Sequence, residues 1–276
     1  MLATVASTAG AVCSAAAATS ASATGNARHA VRPAHRVGPV QLSRAGMAFK
    51  TNQSNNWSGY NQGALTKGGT FSAITGTWQV PRATQHKAGE AESSATWIGI
   101  GGGCLENSCT LTDQTLIQAG TEQDVAANGA ASYGTWYELI PAPSISTPLV
   151  AHPGDTMTAA IKQTVPGLWS ISLKNVTTGK SWSTTVPYAS TGGSAEWIEE
   201  TPLLIGTDGT GISALPKLGS VHFRGATTNG AAAKLTAAEK MQLVSSTGAV
   251  LATPSAPGAG GTSFNDCTYA TTCAAP

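Results

Sequence analysis

An all-β fold, two antiparallel sheets packed as a sandwich, is predicted by three features of this 276-residue sequence. Gly-punctuated runs rich in Val, Ile, Thr, Trp and Tyr recur along it, and these residues suit a pleated, half-buried surface. Long Leu-rich stretches of helical period are missing. About ten β-type runs follow one another in one unit, and that many strands cover their apolar faces by stacking two sheets.

The runs begin with NNWSGYNQ (55–62), GTWQVP (76–81) and SSATWIGIGG (93–102). TLIQAGTE (115–122), SYGTWYELIP (132–141) and DTMTAAIKQ (155–163) come next. LWSISLKNVTTGKSWSTTVPY (168–188) reads as a hairpin, with the turn signal NVTTGK between two β runs. AEWIEETP (195–202) and SVHFRGA (220–226) follow, and EKMQLVSSTGAVLATPS (239–255) is a second hairpin turning at SSTG. LTAAEKMQL (235–243) could be helical by propensity. Its place between β runs favours a turn and a strand instead.

The termini and the charges set the context. Residues 1–23 are uncharged, rich in Ala, Ser and Thr, and end in Ala21-Ser22-Ala23, a signal-like segment with small residues at a cleavage site. Residues 24–50 carry five basic side chains and no acid, and read as a basic pro-segment or linker. Residues 51–276 form the sandwich domain and hold ten basic residues against all fourteen acids, a net of −4. That balance argues against nucleic-acid binding, which needs a basic face. No run of about 20 strongly apolar residues offers a membrane span. Charged residues are only 11% of the chain. Sparse charge suits an acidic milieu, because acid denaturation comes largely from protonating paired carboxylates. Cys104 pairs with Cys109 and Cys267 with Cys273 as short disulfide loops of an oxidising compartment, with Cys13 left over. Neither pair has CxxC spacing or a nearby His, so no zinc site is expected.

Side chains alternate along a strand, which sorts the candidates by face. Gln118 shares a side with Leu116, Gly120 and Glu122, and Trp136 with Glu138. Trp97 shares a side with Gly99 and Gly101, and Glu196 with Glu200. Together these sides make a groove with Gln118, Glu122, Glu138, Glu196 and Glu200, floored by small residues and walled by Trp97 and Trp136. Glu199 falls on the opposite face. Trp57 and Trp78 read most simply as core. A carboxylate can take a proton from water while a carboxamide N–H stabilises the oxyanion that forms. Ser hydrolysis has no GxSxG here, Cys hydrolysis has no free Cys beside a His, and GIGGGC lacks the Lys-Ser/Thr of a phosphate loop. A glycan-hydrolysing protein using Glu138 with Glu200, or a lectin-like module using the Trp-lined groove, is the alternative.

The order and wording of NNWSGY, GTWQVP, ATWIGIGG, TLIQAGTE, TWYELIP, HPGD, LKNVTTGKSW and AEWIEETP resemble the glutamic peptidases, or eqolisins, over about 55–254. The resemblance implies a concanavalin A-like sandwich and a secreted, monomeric acid endopeptidase that acts on polypeptides without metal or cofactor. It places the catalytic Gln on Gln118 and the catalytic Glu on Glu200. Substrate-groove positions fall on Trp97, Glu122, Trp136 and Glu138, with Glu196 beside them. The chain departs from well-known fungal members in two places. It has Gly101 where they have Asp after WxGI, and Leu139 and Ile140 where they read WYEWYP.

Overall fold

The computed structural model describes residues 34–36, 52–206 and 209–276. The signal-like segment, Cys13 and most of the basic stretch lie outside these residues. In chain order the strands are β1 (Ala34–Arg36), β2 (Asn52–Ser54), β3 (Trp57–Gly63), β4 (Ala73–Gln79), β5 (Glu92–Gly101), β6 (Leu116–Val125) and β7 (Ala131–Leu139). There follow β8 (Ile145–Ser146), β9 (Thr156–Val165), β10 (Leu168–Asn175), β11 (Ser181–Pro187) and β12 (Ser194–Glu200). The last are β13 (Leu203–Gly206), β14 (Gly209–Ile212), β15 (Ser220–Thr228), β16 (Ala231–Ala232), β17 (Lys240–Val244), β18 (Val250–Pro254) and β19 (Phe264–Thr268). Helix is confined, among the described residues, to one α turn at Ala64–Lys67 and 3-10 turns at Ala237–Glu239 and Ala259–Gly261.

The fold is therefore nearly all antiparallel β, as the alternating pattern predicts. LTAAEKMQL resolves as the 3-10 turn Ala237–Glu239 followed by β17, a turn and a strand. Thr236 and Glu239 cap that turn reciprocally, which settles its backbone against a longer helix. β13, β14 and β19 add strands that the sequence pattern does not announce.

Hydrogen bonds join sixteen strands in one ladder, ordered β11-β10-β9-β4-β15-β19-β18-β17-β3-β12-β5-β6-β7-β8, with β16 on β15 and β2 on β17. The ladder folds over on itself. Ile74, Ile161 and Ile171 of one half share a core with Ile98, Ile117 and Trp197 of the other. Trp78 Nε1 donates across that core to Thr121 Oγ1 at 3.0 Å, and Trp197 Nε1 to the Thr75 carbonyl at 2.8 Å. The halves meet closely at Gly76. A Cβ there would stand 2.7 Å from Ile98 Cγ2 and 2.8 Å from Trp197 Cδ1, so only glycine fits. A separate sheet, β1-β13-β14, follows the end of β12. Its first strand comes from the basic stretch and pairs Arg36 with Leu203 through Ala34 with Ile205.

Candidate active site

β12, β5, β6 and β7 lie side by side, and their register sorts the candidate side chains into three cross-strand rows. The first row is Glu196, Gly99, Gln118 and Glu138. The second is Ile198, Trp97, Gly120 and Trp136, and the third is Glu200, Ala95, Glu122 and Gly134. Alternate residues share a face, so all seven residues proposed from sequence are on one side of the sheet. That side is the one turned away from the core shared with β4, β9 and β10.

The glycines in these rows make a bed for Trp97. A Cβ at Gly99 would lie 2.8 Å from the Trp97 ring, and one at Gly120 would lie 2.5 Å from Trp97 Cβ. With those Cβ atoms missing, the indole lies along the diagonal between Gln118 and Glu200. Its Nε1 donates to Glu200 Oε2 at 2.8 Å. Trp57 packs edge-on against it, with ring centroids 5.0 Å apart. Trp57 thus supports the site cluster with Trp136 and Ile198, whereas Trp78 belongs to the main core.

The other oxygen of Glu200 is held by a residue that the sequence reading passed over. Asn56 Nδ2 donates to Glu200 Oε1 at 3.2 Å. The orientation of this amide is set by Ser54, whose hydroxyl donates to Asn56 Oδ1 at 2.7 Å. The same hydroxyl accepts from the Asn56 and Trp57 backbone N–H groups at 3.1 and 3.0 Å. Ser54 thus determines which end of the amide faces the carboxylate. The Asn in NNWSGY was the available signal, but a polar residue ahead of a strand is read first as a turn residue.

Glu200 is fully buried, and burial pushes its carboxyl well above the ordinary range. The charge of Glu138 pushes the same way, while the hydrogen bonds from Trp97 and Asn56 oppose it. Gln118, also fully buried, donates from Nε2 to Glu138 Oε2 at 2.9 Å. On an untwisted ladder the Cα atoms of Gln118 and Glu200 would stand roughly 17 Å apart.

Glu122 faces Gly134, where a Cβ would come within 2.4 Å of Glu122 Oε1. Glu196 is on the predicted face and level with Gln118, but its carboxyl is closed over by the loop after β5. A Cβ at Gly103 in that loop would lie 2.6 Å from Glu196 Oε1 and collide with Asn61 Oδ1. Burial raises the Glu196 carboxyl well above its usual range, the Ser194 hydroxyl opposes this, and Asp113 adds to it. The loop is tied by the Cys104–Cys109 disulfide, and Cys267–Cys273 is the second bridge.

Gly101 is the departure for which the structure supplies a reason. Its φ is +91°, and a Cβ there would lie 2.0 Å from the Thr115 carbonyl oxygen, so no side chain fits. The Oδ2 of Asp113, an acid not singled out from sequence, is 3.2 Å from that Cβ position. Asp113 brings a carboxylate to the neighbourhood from the next loop. It accepts from the Thr115 and Gly193 N–H groups, both at 3.0 Å, and so clamps that loop to the start of β12.

Glu199 points to the opposite face, as alternation predicts, and that face is the protein interior. Thr96 Oγ1 donates to its Oε2 at 2.5 Å. Nearby Asp266 accepts from Ser58 Oγ at 2.8 Å. Burial raises the Asp266 carboxyl to about 7, with the Ser58 hydroxyl and the Lys240 charge opposing. Burial also raises Glu199 well above its usual range, against the Thr96 hydrogen bond and with the Asp266 charge adding.

A model of the peptidase A4 family matches residues 55–265. The fold is similar to scytalido-glutamic peptidase bound to a transition state analog inhibitor, with a TM-score of 0.56 at 20% identity over 78% of this chain and 98% of that one. It is similar to SCP-B, an eqolisin-family peptidase in complex with the tripeptide Ala-Ile-His, with a TM-score of 0.54 at 20% identity and the same coverage. Aspergilloglutamic peptidase from Aspergillus niger gives a TM-score of 0.51 at 24% identity, over 64% of this chain and 99% of that one. None of the curated protein sequences matches this chain.

Proposed function

The chain belongs to the peptidase A4 family, the glutamic peptidases or eqolisins, and on that premise we propose that it is a secreted, acid-acting endopeptidase using Glu200 and Gln118. The observation that carries this reading is the placement of Glu200. Its two oxygens are held by Trp97 and Asn56 on the sheet face that also presents Gln118. Glu200 takes a proton from a water lying above Trp97, and the water oxygen bonds to the scissile carbonyl carbon. The carbonyl oxygen becomes an oxyanion. Gln118 has two amide N–H groups. The amide is oriented by its bond to Glu138, and the mechanism assigns an amide N–H of Gln118 to the oxyanion once substrate is bound. Glu200 then gives its proton to the leaving nitrogen as the C–N bond breaks. No metal or cofactor enters the cycle. Burial keeps the acid form of Glu200 accessible, which suits one group serving as base and then acid.

Trp136 and Glu122 line the groove for an extended polypeptide, with Glu138 fixing Gln118 and Glu196 closing one end. The stacked halves of the ladder are assigned to a two-sheet, concanavalin A-like sandwich, acting as a monomer. Two disulfides suit an oxidising, extracellular setting. Residues 24–50 are read as a pro-segment. The pairing of β1 with β13 supports that, because Arg36 meets Leu203 three residues beyond Glu200. The glycan-hydrolysing alternative loses its second carboxylate. Its candidate, Glu138, is instead engaged as the acceptor of Gln118 Nε2 at 2.9 Å, and the family matched is one of peptidases.

The test is digestion of a protein substrate from acid to neutral pH with pepstatin present. Pepstatin-resistant cleavage at acid pH that vanishes in Glu200→Gln supports the reading. Cleavage retained in that variant overturns it.

A further inference from the structure

Charge is unevenly distributed over this domain. Residues 51–276 are net acidic, yet residues 156–187 contain three lysines and no acid. These residues form β9, β10 and β11, which with β4 and β15 make the half of the ladder behind the core. Met157, Ala159 and Ile161 of β9 point inward, as do Trp169, Ile171 and Leu173 of β10. Their alternates point outward, and the register lines them up across strands. One row reads Ser183, Ser172, Ala160, Thr75. The next reads Ser181, Lys174, Thr158, Thr77, Arg224. On the other side Lys162 lies between Ser170 and Ala73.

The outcome is a plane of small hydroxyl-bearing side chains with three exposed cations, Lys162, Lys174 and Arg224. Thr77 and Thr158 already bond to each other across it at 2.9 Å, so the rows are ordered. From strand spacing and rise, the cations stand roughly 14–17 Å apart between Cα atoms. The outward positions of β4, β9, β10, β11 and β15 carry no Asp or Glu. A solvated face in a net acidic domain would be expected to mix both signs.

We propose that this face docks a linear polysaccharide bearing carboxylates. Two observations select that partner. Three cations are too few for strong binding of duplex DNA, whose affinity grows with the number of phosphates neutralised along a chain of one charge per about 1.7 Å of axis. They suit a chain of sparser charge, and the Ser and Thr rows between them offer donors and acceptors to sugar hydroxyls. The face is also turned away from the groove. A polymer held there does not touch the face that carries Glu200 and Gln118.

The test uses the full chain at low ionic strength and about pH 5, where uronic carboxylates are ionised. Binding to polygalacturonate is compared with binding to dextran and to duplex DNA. The triple variant Lys162→Glu, Lys174→Glu, Arg224→Glu is compared with the parent, so that the basic N-terminal stretch contributes equally to both. The expected result is retention on polygalacturonate and none on dextran. The variant should bind at least tenfold more weakly, and the difference should close as salt rises. Turnover of a short peptide should be unchanged in the variant, which shows that the fold is intact. Equal binding by the two proteins, or tighter binding of DNA than of polygalacturonate through these cations, overturns the proposal.

Discussion

Asn56→Ala gives the sharpest test of how Glu200 is held. The substitution removes the donor to Glu200 Oε1 and leaves Trp97 on Oε2. It lies outside the core cluster, and the Ser54 hydroxyl that loses its Asn56 partner still accepts from the Asn56 and Trp57 N–H groups. A hydrogen bond to a charged group contributes about 1.5–3 kcal/mol. The length of 3.2 Å puts this one at the low end, so about 1.5 kcal/mol. That energy favours ionised over protonated Glu200, and it corresponds to roughly tenfold in their ratio. Losing it favours the protonated form, so the base is available only at higher pH. The acid limb of kcat/KM against pH should move upward. Activity at the acid end should fall about tenfold and should recover on the plateau. The assay is an internally quenched peptide followed across pH, with Asn56→Gln as a longer amide that keeps a donor. A uniform loss at every pH, with the limb unmoved, would refute the positioning argument.

Four other outcomes are expected. Glu200→Gln should abolish peptidase activity, whereas Glu196→Gln and Glu199→Gln should retain most of it; loss in Glu196→Gln alone would move the base to the carboxylate level with Gln118. Gln118→Glu should lower kcat by about 10²-fold or more, the scale of one lost oxyanion donor, and an unchanged kcat would make Gln118 structural. Buried Asp266 is held near 7 from an ordinary 3.8, so its stabilising effect is complete below about pH 4 and lost as pH rises through about 7, by about 4 kcal/mol at most. Thermal melts should therefore show Tm falling over that window, and Asp266→Asn should flatten the fall; a parent Tm that rises over the same window would contradict it. Finally, a chain of residues 24–276 should be less active near neutral pH than one of 51–276, with salt narrowing the gap, and identical profiles would reduce the basic stretch to a linker.

Much of this protein was legible in the sequence because β alternation is a local property. Period two put Glu196 with Glu200 and opposite Glu199, Gln118 with Glu122, and Trp136 with Glu138, and the spacing of the cysteines was enough to pair them; that these sides share one face is set by the register of the sheet. The wording and order of the motifs carried the family. The sequence could not say how far apart those side chains stand, because that depends on register between strands separated by tens of residues. Register put Glu196 level with Gln118 and Glu200 two rows away, with Trp97 on the diagonal. Asn56 became a partner of Glu200 only because β3 pairs with β12, joining residues 144 apart in the chain. Gly101 looked like a lost acid until its backbone showed no space for a side chain and Asp113 stood beside it. Burial was likewise a tertiary matter. A Glu in a strand is usually solvated, and only the folding of the ladder onto itself turned Glu199 and Asp266 into interior acids whose protonation is coupled to the fold.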